Sequence, residues 1–366
     1  MSTENLVSGP YTHANATVSR TMALVMYALL PATLFGLYQF GWPAIFLFLI
    51  TIVAALFAEA FSLYLAGKPV RLYLMDGSAL LTGWLLAMTL PPWAPWWVGV
   101  VGALVAIIVA KQVFGGIGQN LFNPAMAARV ALLISFPLEM TIFTSPAPLF
   151  SASAPGFMDS LAITFLGDSN QIDTFTSATP LGHYKTELTQ GVNIQQAAAG
   201  TDGLWPITWG ETTGSMGETS ALLLLLGGLF LLYKRIISWH IPVSMLGTLV
   251  VMATLFHLID PEHHVGPLTH LMSGAAILGA FFIATDLVTS PVSVRGQIIF
   301  GAGCGLLVYV IRIWAGYPEG VAFAVMLMNA CTPLIDHYFK PRIYGRDRKG
   351  EPLVYQDAAE EEGGKG

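Results

Sequence analysis

Long apolar runs, separated by short polar segments, dominate the pattern of residues along the chain. A transmembrane helix needs about 20 mostly apolar residues, and ten runs approach that length. They lie near residues 21–40, 42–66, 74–91, 95–113, 121–137, 218–234, 241–258, 268–287, 296–314 and 320–337. The pattern therefore predicts an all-α membrane protein of about ten transmembrane helices.

One long segment departs from this pattern, because it is rich in Ser, Thr, Gly and Pro. Loops of more than about 15 residues are usually functional or disordered, so we expect an irregular insertion with a role of its own. The chain then divides into an N-terminal segment, a first five-helix half, the insertion, a second five-helix half and a charged tail. These parts are expected at residues 1–20, 21–137, 138–217, 218–337 and 338–366.

The composition agrees with a membrane protein. Only 10% of the residues are charged and the mean hydropathy is +0.64, whereas soluble domains carry about 25% charged residues. The lipid bilayer is therefore the expected environment, and no large basic patch indicates nucleic acid as a partner. The two cysteines, Cys304 and Cys331, are too few to ligate an iron–sulfur cluster within this chain alone.

Lys and Arg residues predict the orientation, because they collect in cytoplasmic loops. With the N-terminus inside, thirteen of the sixteen basic residues fall in cytoplasmic segments, and the exceptions are Arg129, Lys185 and Arg312. We therefore expect a multi-pass protein of the bacterial inner membrane, with both termini in the cytoplasm and the insertion in the periplasm.

The two halves contain similar segments. Leu74–Leu81 resembles Leu271–Leu278, and Lys111–Gly118 resembles Arg312–Gly320. Five helices per half is an odd number, so a second half built like the first would be inverted in the membrane. Inverted repeats commonly enclose a binding site at the interface of the repeats. The alternative is a chance likeness between apolar helices.

Two amides follow a glycine-rich turn between the fourth and fifth predicted spans. Gly116 and Gly118 permit close backbone approach, and Asn120 and Asn123 are spaced to share one helix face. Their amides can both donate and accept hydrogen bonds. They are candidate ligands of a bound group, and the alternative is a packing and capping motif ahead of Pro124.

Ionisable residues inside membrane spans are functional candidates. Glu59 lies well within the second predicted span, where it could carry a proton or Na⁺, or pair with a cation of a partner subunit. Asp76, Asp286 and Asp336 lie at span ends and are candidates for the same ion pathway. Asp76 and Asp336 could instead lie at the membrane interface.

A cluster of titratable residues occupies the loop before the eighth predicted span. It could bind a metal or take up protons, and the alternative is a solvated loop. Its members are Asp260, Glu262, His263, His264 and His270.

The insertion contains a hydroxyl-rich segment, residues 173–181. Pro180 disfavours helical geometry at Thr179, so we expect Thr179 in an extended conformation with its side chain pointing outward, as a modification acceptor requires. Considered alone, the segment is an ordinary loop.

Four motifs give the chain a resemblance to a known family. They are residues 8–13, 115–125, 176–181 and 284–286. Over nearly its whole length the chain resembles the RnfD/NqrB family, the membrane subunits of Rnf electron-transport complexes and of sodium-pumping NADH:quinone reductases. In that family, a Ser/Thr-Gly-Ala-Thr motif carries FMN, esterified through its phosphate to the last Thr.

The resemblance implies cofactors and their sites. Covalent FMN is expected on Thr179, next to Ala178 and to Ser177, which departs from the Gly that is usual in the motif. A second, non-covalent flavin, riboflavin, is expected near Asn120 and Asn123. No dinucleotide-binding fingerprint is present in the sequence, so other subunits must handle NADH and ferredoxin.

The resemblance also implies a function. The chain is expected to pass electrons between flavins across the membrane, within a complex of Rnf subunits that moves Na⁺ or H⁺. The quinone-reducing relative is one alternative, although it usually carries a longer extension before its first span. A redox-inactive channel or transporter is a second, because inverted repeats suit it equally. A purely structural anchor would leave Glu59 and the two Asn residues unexplained.

Overall fold

The computed structural model describes residues 17–152, 154–167, 178–199, 204–315, 317 and 319–341. In these ranges every regular element is helical, apart from one isolated bridge residue at Thr144. Three helices are long and apolar enough to cross a membrane, and several shorter apolar helices accompany them. The three are Val18–Leu65, His240–Ile259 and Val294–Trp314. The expected all-α membrane protein is confirmed at this level.

The first half contains five helices of unequal length. They are α1 (Val18–Leu65), α2 (Val70–Leu74), α3 (Ser78–Thr89), α4 (Trp96–Leu104), which continues as a π-helix over Val105–Gln112, and α5 (Pro124–Ser135). The fifth predicted span began at residue 121. The helix begins only at Pro124, because the Asn123 side chain caps its first turn.

Helix α1 covers the first two predicted spans and is bent between them. Gly41 has non-helical backbone angles, φ 72° and ψ −156°. Met22, near the start of α1, packs against Gly77, and Glu59, near its end, pairs with Lys111, which also contacts Ser78. The two ends of α1 therefore lie at the same end of the molecule, and the chain reverses at Gly41.

The insertion was predicted to be irregular, but its described part forms short helices. They are α6 (Pro137–Thr141), α7 (Phe157–Leu161) with a π-helical extension Ala162–Leu166, α8 (Pro180–Thr189), α9 (Ile194–Ala199), α10 (Leu204–Trp209) and a 3₁₀ turn, Met216–Glu218. The insertion covers the turn of α1, since Gln39 contacts both Ala147 and Gly210. We call this the insertion end of the molecule, and the opposite end, with Met22 and Ser78, the cavity end.

The second half follows the insertion. Its helices are α11 (Ala221–Tyr233), α12 (His240–Ile259), α13 (Pro267–Met272), α14 (Ala276–Leu278), which continues as a π-helix over Gly279–Ile283, α15 (Val294–Trp314) and α16 (Val321–Tyr338). Helices α12 and α15 pack along one another. Asp336, near the end of α16, accepts a hydrogen bond from the Val292 amide at the cavity end.

Two predicted spans are interrupted at related positions. The third is split at Gly77 (φ 80°) and the eighth at Gly274 (φ 69°), in the left-handed region that costs other residues about 1–2 kcal/mol. The prediction of continuous helices over 74–91 and 268–287 is therefore wrong. Gly77 lies at the cavity end beside Met22, whereas Gly274 lies beside Arg312, whose carbonyl contacts the insertion. Related breaks thus face opposite ends of the molecule.

Candidate functional site

The end of the molecule that contains Met22 and Ser78 was named for a cavity of about 110 Å³ that lies there, between the two halves. Most of its lining is apolar and comes from α1, α3, α11 and the π-helix after α14. A few polar residues converge on it, as in ligand sites of proteins generally. They are Thr21, Ser78, Thr82, Lys111, Asn120, Asn123, Thr285 and Asp286. We call this the Asn cavity.

The two predicted amide ligands both line the Asn cavity and are largely buried. Asn123 Oδ1 accepts the amide hydrogens of Ala125 and Met126 at 3.1 and 3.3 Å, which caps α5. Asn120 Nδ2 donates to the Phe122 carbonyl at 3.0 Å. The capping alternative is thus confirmed for Asn123, while Asn120 makes a local loop contact. Asn123 Nδ2 and Asn120 Oδ1 have no partner among the described residues, so one donor and one acceptor remain for a ligand.

The glycine-rich turn shapes this wall of the cavity. Gly116 (φ 104°) and Gly118 (φ 86°) adopt left-handed backbone angles on either side of Ile117. Ile117 lines the cavity, whereas the two glycines do not. They therefore act through the path of the backbone, which brings Asn120 to the cavity wall.

A buried ion pair adjoins the cavity. Lys111 Nζ lies 2.9 Å from Glu59 Oε1 and donates to Ser78 Oγ at 2.7 Å. Both charged side chains are about 3% exposed. Glu59 therefore pairs with a lysine of its own chain, and its second carboxylate oxygen has no partner among the described residues.

The three aspartates at span ends have different surroundings. Asp286 lines the Asn cavity and accepts hydrogen bonds from the Val288 amide and the Thr289 hydroxyl. Asp76 Oδ1 accepts the Ser78 amide hydrogen at 2.7 Å and thus caps α3 after its break. Asp336 holds the chain ahead of α15 through Val292, as described above. Of the three, only Asp286 joins the two Asn residues.

Thr179 lies at the insertion end, as the N-cap of α8. Its backbone is extended as predicted (φ −62°, ψ 155°), but its side chain is 5% exposed and Oγ1 accepts the Gly182 amide hydrogen at 3.2 Å. The expectation of an outward-pointing side chain is wrong, because a Thr before Pro at a helix start uses its hydroxyl as a cap. Ala178 is exposed, and Ser177 lies outside the described residues.

Two residues of α8 follow Thr179 closely in sequence but turn away from it. His183 Nε2 lies 3.9 Å from Glu187, one turn further along the helix. Lys185 Nζ donates to the main-chain carbonyls of Arg312 and Ala315, at the end of α15.

The predicted histidine cluster does not converge on one point. Asp260 and His263 form an exposed pair at 2.9 Å, and this hydrogen bond lowers the pKa of Asp260. His264 Nδ1 contacts the Tyr309 hydroxyl at 3.4 Å, and its partial burial lowers the pKa of His264. His270 is buried against Tyr309 instead. Within the described part of the chain, no three His, Cys, Asp or Glu residues are arranged to hold a metal.

Several charged residues of the interior were missed by the sequence reasoning. Lys111 was used only as one of the basic residues that predict the cytoplasmic side, and Arg312 only as an exception to that distribution. Arg312 is buried, donates to the carbonyls of His270 and Ser273 beside the second helix break, and lies 3.6 Å from Glu319. The internal repeat, which pairs Lys111 with Arg312, was the available signal. Each cation stabilises a helix break of its own half.

These features define a class: an all-helical membrane protein with a largely apolar cavity at one end, into which a few polar residues point, and a capped helix on an insertion at the other. The sequence profile of the NQR2, RnfD, RnfE family matches residues 5–345. This chain belongs to that family.

Curated relatives share most of their length with this chain. The D subunit of the ion-translocating oxidoreductase complex of Halorhodospira halophila is 53% identical over 348 residues, which cover 95% of this chain and 97% of the relative. The protein of the same name from Stutzerimonas stutzeri is 56% identical, over 93% of this chain and 95% of the relative. That from Rhodobacter capsulatus is 51% identical, over 84% and 85%.

Proposed function

We propose that this chain is the D-type membrane subunit of an ion-translocating oxidoreductase complex and passes electrons between two flavins across the membrane. The observation that carries the proposal is the pair of candidate flavin positions, the Asn cavity and Thr179, at opposite ends of a helical membrane protein. The relatives' names supply the class of complex. The complex would couple NADH and ferredoxin electron transfer to Na⁺ or H⁺ movement, with other Rnf subunits as partners.

The proposed topology is ten spans in two inverted halves, with both termini in the cytoplasm of a bacterial inner membrane. Two observations support it. Thr17 and Asp336, near the two ends of the described chain, lie at the cavity end, as an even number of crossings requires. The related breaks at Gly77 and Gly274 face opposite ends, as inversion requires. The distribution of basic residues supports a cytoplasmic position for the cavity end.

The surroundings of Thr179 suit a phosphate ester of FMN. Thr179 Oγ1 lies at the N-terminus of the ten-residue helix α8, where first-turn N–H groups and the helix dipole favour negative charge. The helix would thus hold the phosphate, and the exposed Ala178 would leave room for the ring outside. When bound, the isoalloxazine ring supplies the redox chemistry. The protein fixes its position.

The Asn cavity suits the second flavin, riboflavin. Its largely apolar lining can cover a flat ring, while Asn120 Oδ1 and Asn123 Nδ2 offer one acceptor and one donor. A flavin's ring edge carries both kinds of group, so the pair can bind it in a fixed orientation. Gly116 and Gly118 support this wall through the turn that they form.

The ion pathway is proposed to begin at the same end. Glu59 and Asp286 both lie near the Asn cavity, and Glu59 keeps one carboxylate oxygen without a partner among the described residues. Asp76 and Asp336 serve as helix contacts at this end. Lys111 neutralises Glu59, so a cation that uses this carboxylate has to compete with the ammonium group.

Flavin fluorescence in a denaturing gel tests the proposal. The wild-type band should fluoresce, because the gel removes only non-covalent flavin. Thr179→Ala should abolish the signal, and Thr179→Ser, which keeps a hydroxyl and the helix cap, should retain it. Thr186→Ala is the matched control, since it removes another hydroxyl from the same helix.

A dark wild-type band, from cells that attach flavin to other proteins, would contradict covalent FMN. A redox-inactive transporter would then become the leading interpretation. A fluorescent band that persists in Thr179→Ala would place the flavin on another residue.

A further inference from the structure

The side chain of Lys185 connects helix α8 to the second half of the protein. Lys185 Nζ lies 3.3 Å from the carbonyl oxygen of Arg312 and also donates to the carbonyl of Ala315. Arg312 belongs to the last turn of α15, and Ala315 is its C-cap residue. The contact joins residues that are 127 positions apart in sequence.

The end of α15 is well suited to an ammonium group. The last four carbonyls of a helix lack partners within the helix, and the helix dipole makes this end negative. A lysine with three N–H donors satisfies two of these carbonyls at once. Partial burial lowers the pKa of Lys185, so burying this charge has a cost, which the two carbonyl contacts offset.

The attachment point is also connected to the second helix break. The Arg312 side chain donates to the carbonyls of His270 at 2.6 Å and Ser273 at 3.0 Å, directly before Gly274. Lys185 therefore bonds to the backbone of the same residue whose side chain stabilises the break. Arg312 thus connects α8 to the break through hydrogen bonds.

Thr179 shares the helix that Lys185 attaches. Six residues separate the two, a rise of about 9 Å along an α-helix. Contacts between Tyr184, Ile194 and Val265 support the same helix. The hydrogen bonds of Lys185 are directional, so they can fix the rotation and the height of α8 against the end of α15.

We infer that Lys185 is a positioning residue that holds α8, and hence a group carried on Thr179, in a fixed place against the end of α15. The claim that Lys185 positions a flavin rests on the proposed function. The claim that Lys185 holds α8 depends only on the observed contacts.

The test compares three variants of the intact complex. Lys185→Met removes the ammonium and keeps the apolar stem, and Lys185→Arg keeps the charge. Glu187→Gln is the control, because it removes a half-buried charge from the same helix. Two quantities are measured: hydrogen exchange of the amides in residues 180–189, and fluorescence anisotropy of the covalent flavin.

In Lys185→Met, exchange in 180–189 should rise by about tenfold or more, since charged hydrogen bonds are among the stronger ones. Flavin anisotropy should fall, while the fluorescent band on a denaturing gel remains. Lys185→Arg should restore both quantities, and Glu187→Gln should change neither.

Unchanged exchange in Lys185→Met, or failure of Lys185→Arg to restore it, would overturn the inference. Loss of the fluorescent band in both lysine variants would also overturn it, because Lys185 would then serve attachment. A dark wild-type band with normal protection of 180–189, lost in Lys185→Met, would refute the proposed flavin and uphold the role of Lys185 in holding the helix.

Discussion

The buried pair of Glu59 and Lys111 allows a quantitative prediction. Two unit charges 2.9 Å apart attract one another by about 6 kcal/mol at an effective dielectric constant of about 20. The cost of burying both charges offsets much of this energy. Removing only one partner leaves the other charge buried and unpaired, which typically costs about 3–5 kcal/mol.

We therefore expect Lys111→Met and Glu59→Gln each to destabilise the protein by about 3–5 kcal/mol. The double variant should lose much less stability than the two single variants lose together, because two neutral side chains leave no unpaired charge. The coupling energy should reach roughly 3 kcal/mol. At about 2 °C per kcal/mol, each single variant should melt roughly 6–10 °C below the wild type.

Thermal unfolding of the detergent-solubilised protein measures these shifts. Lys68→Met is the matched control, since Lys68 is only partly buried and its hydrogen bond to the Gly115 carbonyl is at the surface. Its loss should cost less than about 1 kcal/mol. The reasoning is refuted if Lys111→Met lowers the melting temperature no more than Lys68→Met does. It is also refuted if the destabilisations of Lys111→Met and Glu59→Gln simply add in the double variant.

Three further predictions concern other parts of the protein. Asn123→Asp keeps the α5 cap but removes the amide donor, so non-covalent flavin extracted from each copy of the protein should fall while the covalent band persists. Gly274→Ala should destabilise by about 2 kcal/mol or more, because its Cβ would overlap Glu319. Gly67→Ala, with a similar φ of 65° in open space, should cost only about 1 kcal/mol. Burial lowers the pKa of His264, so the melting temperature should fall as the pH drops below about 6.5. His264→Gln should weaken that fall.

The apolar runs predicted most helices closely, since length and hydropathy decide which segments enter a bilayer. The observed α12 (His240–Ile259) and α15 (Val294–Trp314) differ by a few residues at most from the predicted 241–258 and 296–314. The breaks at Gly77 and Gly274 escaped prediction, because a two- or three-residue interruption barely changes the hydropathy averaged over a span.

The site was predicted only in part, because a sequence motif reveals residues that are close together in the chain but not those that meet through packing. Asn120 and Asn123 are neighbours in sequence, so one motif revealed both. Asp286 and Lys111 reach the same cavity only through tertiary packing, which no local pattern encodes. Thr179 is the opposite case, because the pair Thr179-Pro180 is itself a typical helix start and could have predicted the buried cap.

The capped hydroxyl of Thr179 has a consequence for how the protein matures. An enzyme that modifies Thr179 has to bring Oγ1 into its own active site, yet in the folded chain this atom is nearly inaccessible. Attachment of the proposed flavin would therefore precede the closing of the first turn of α8, or wait for that turn to open. Losing the cap costs only about 1 kcal/mol, so transient opening is cheap.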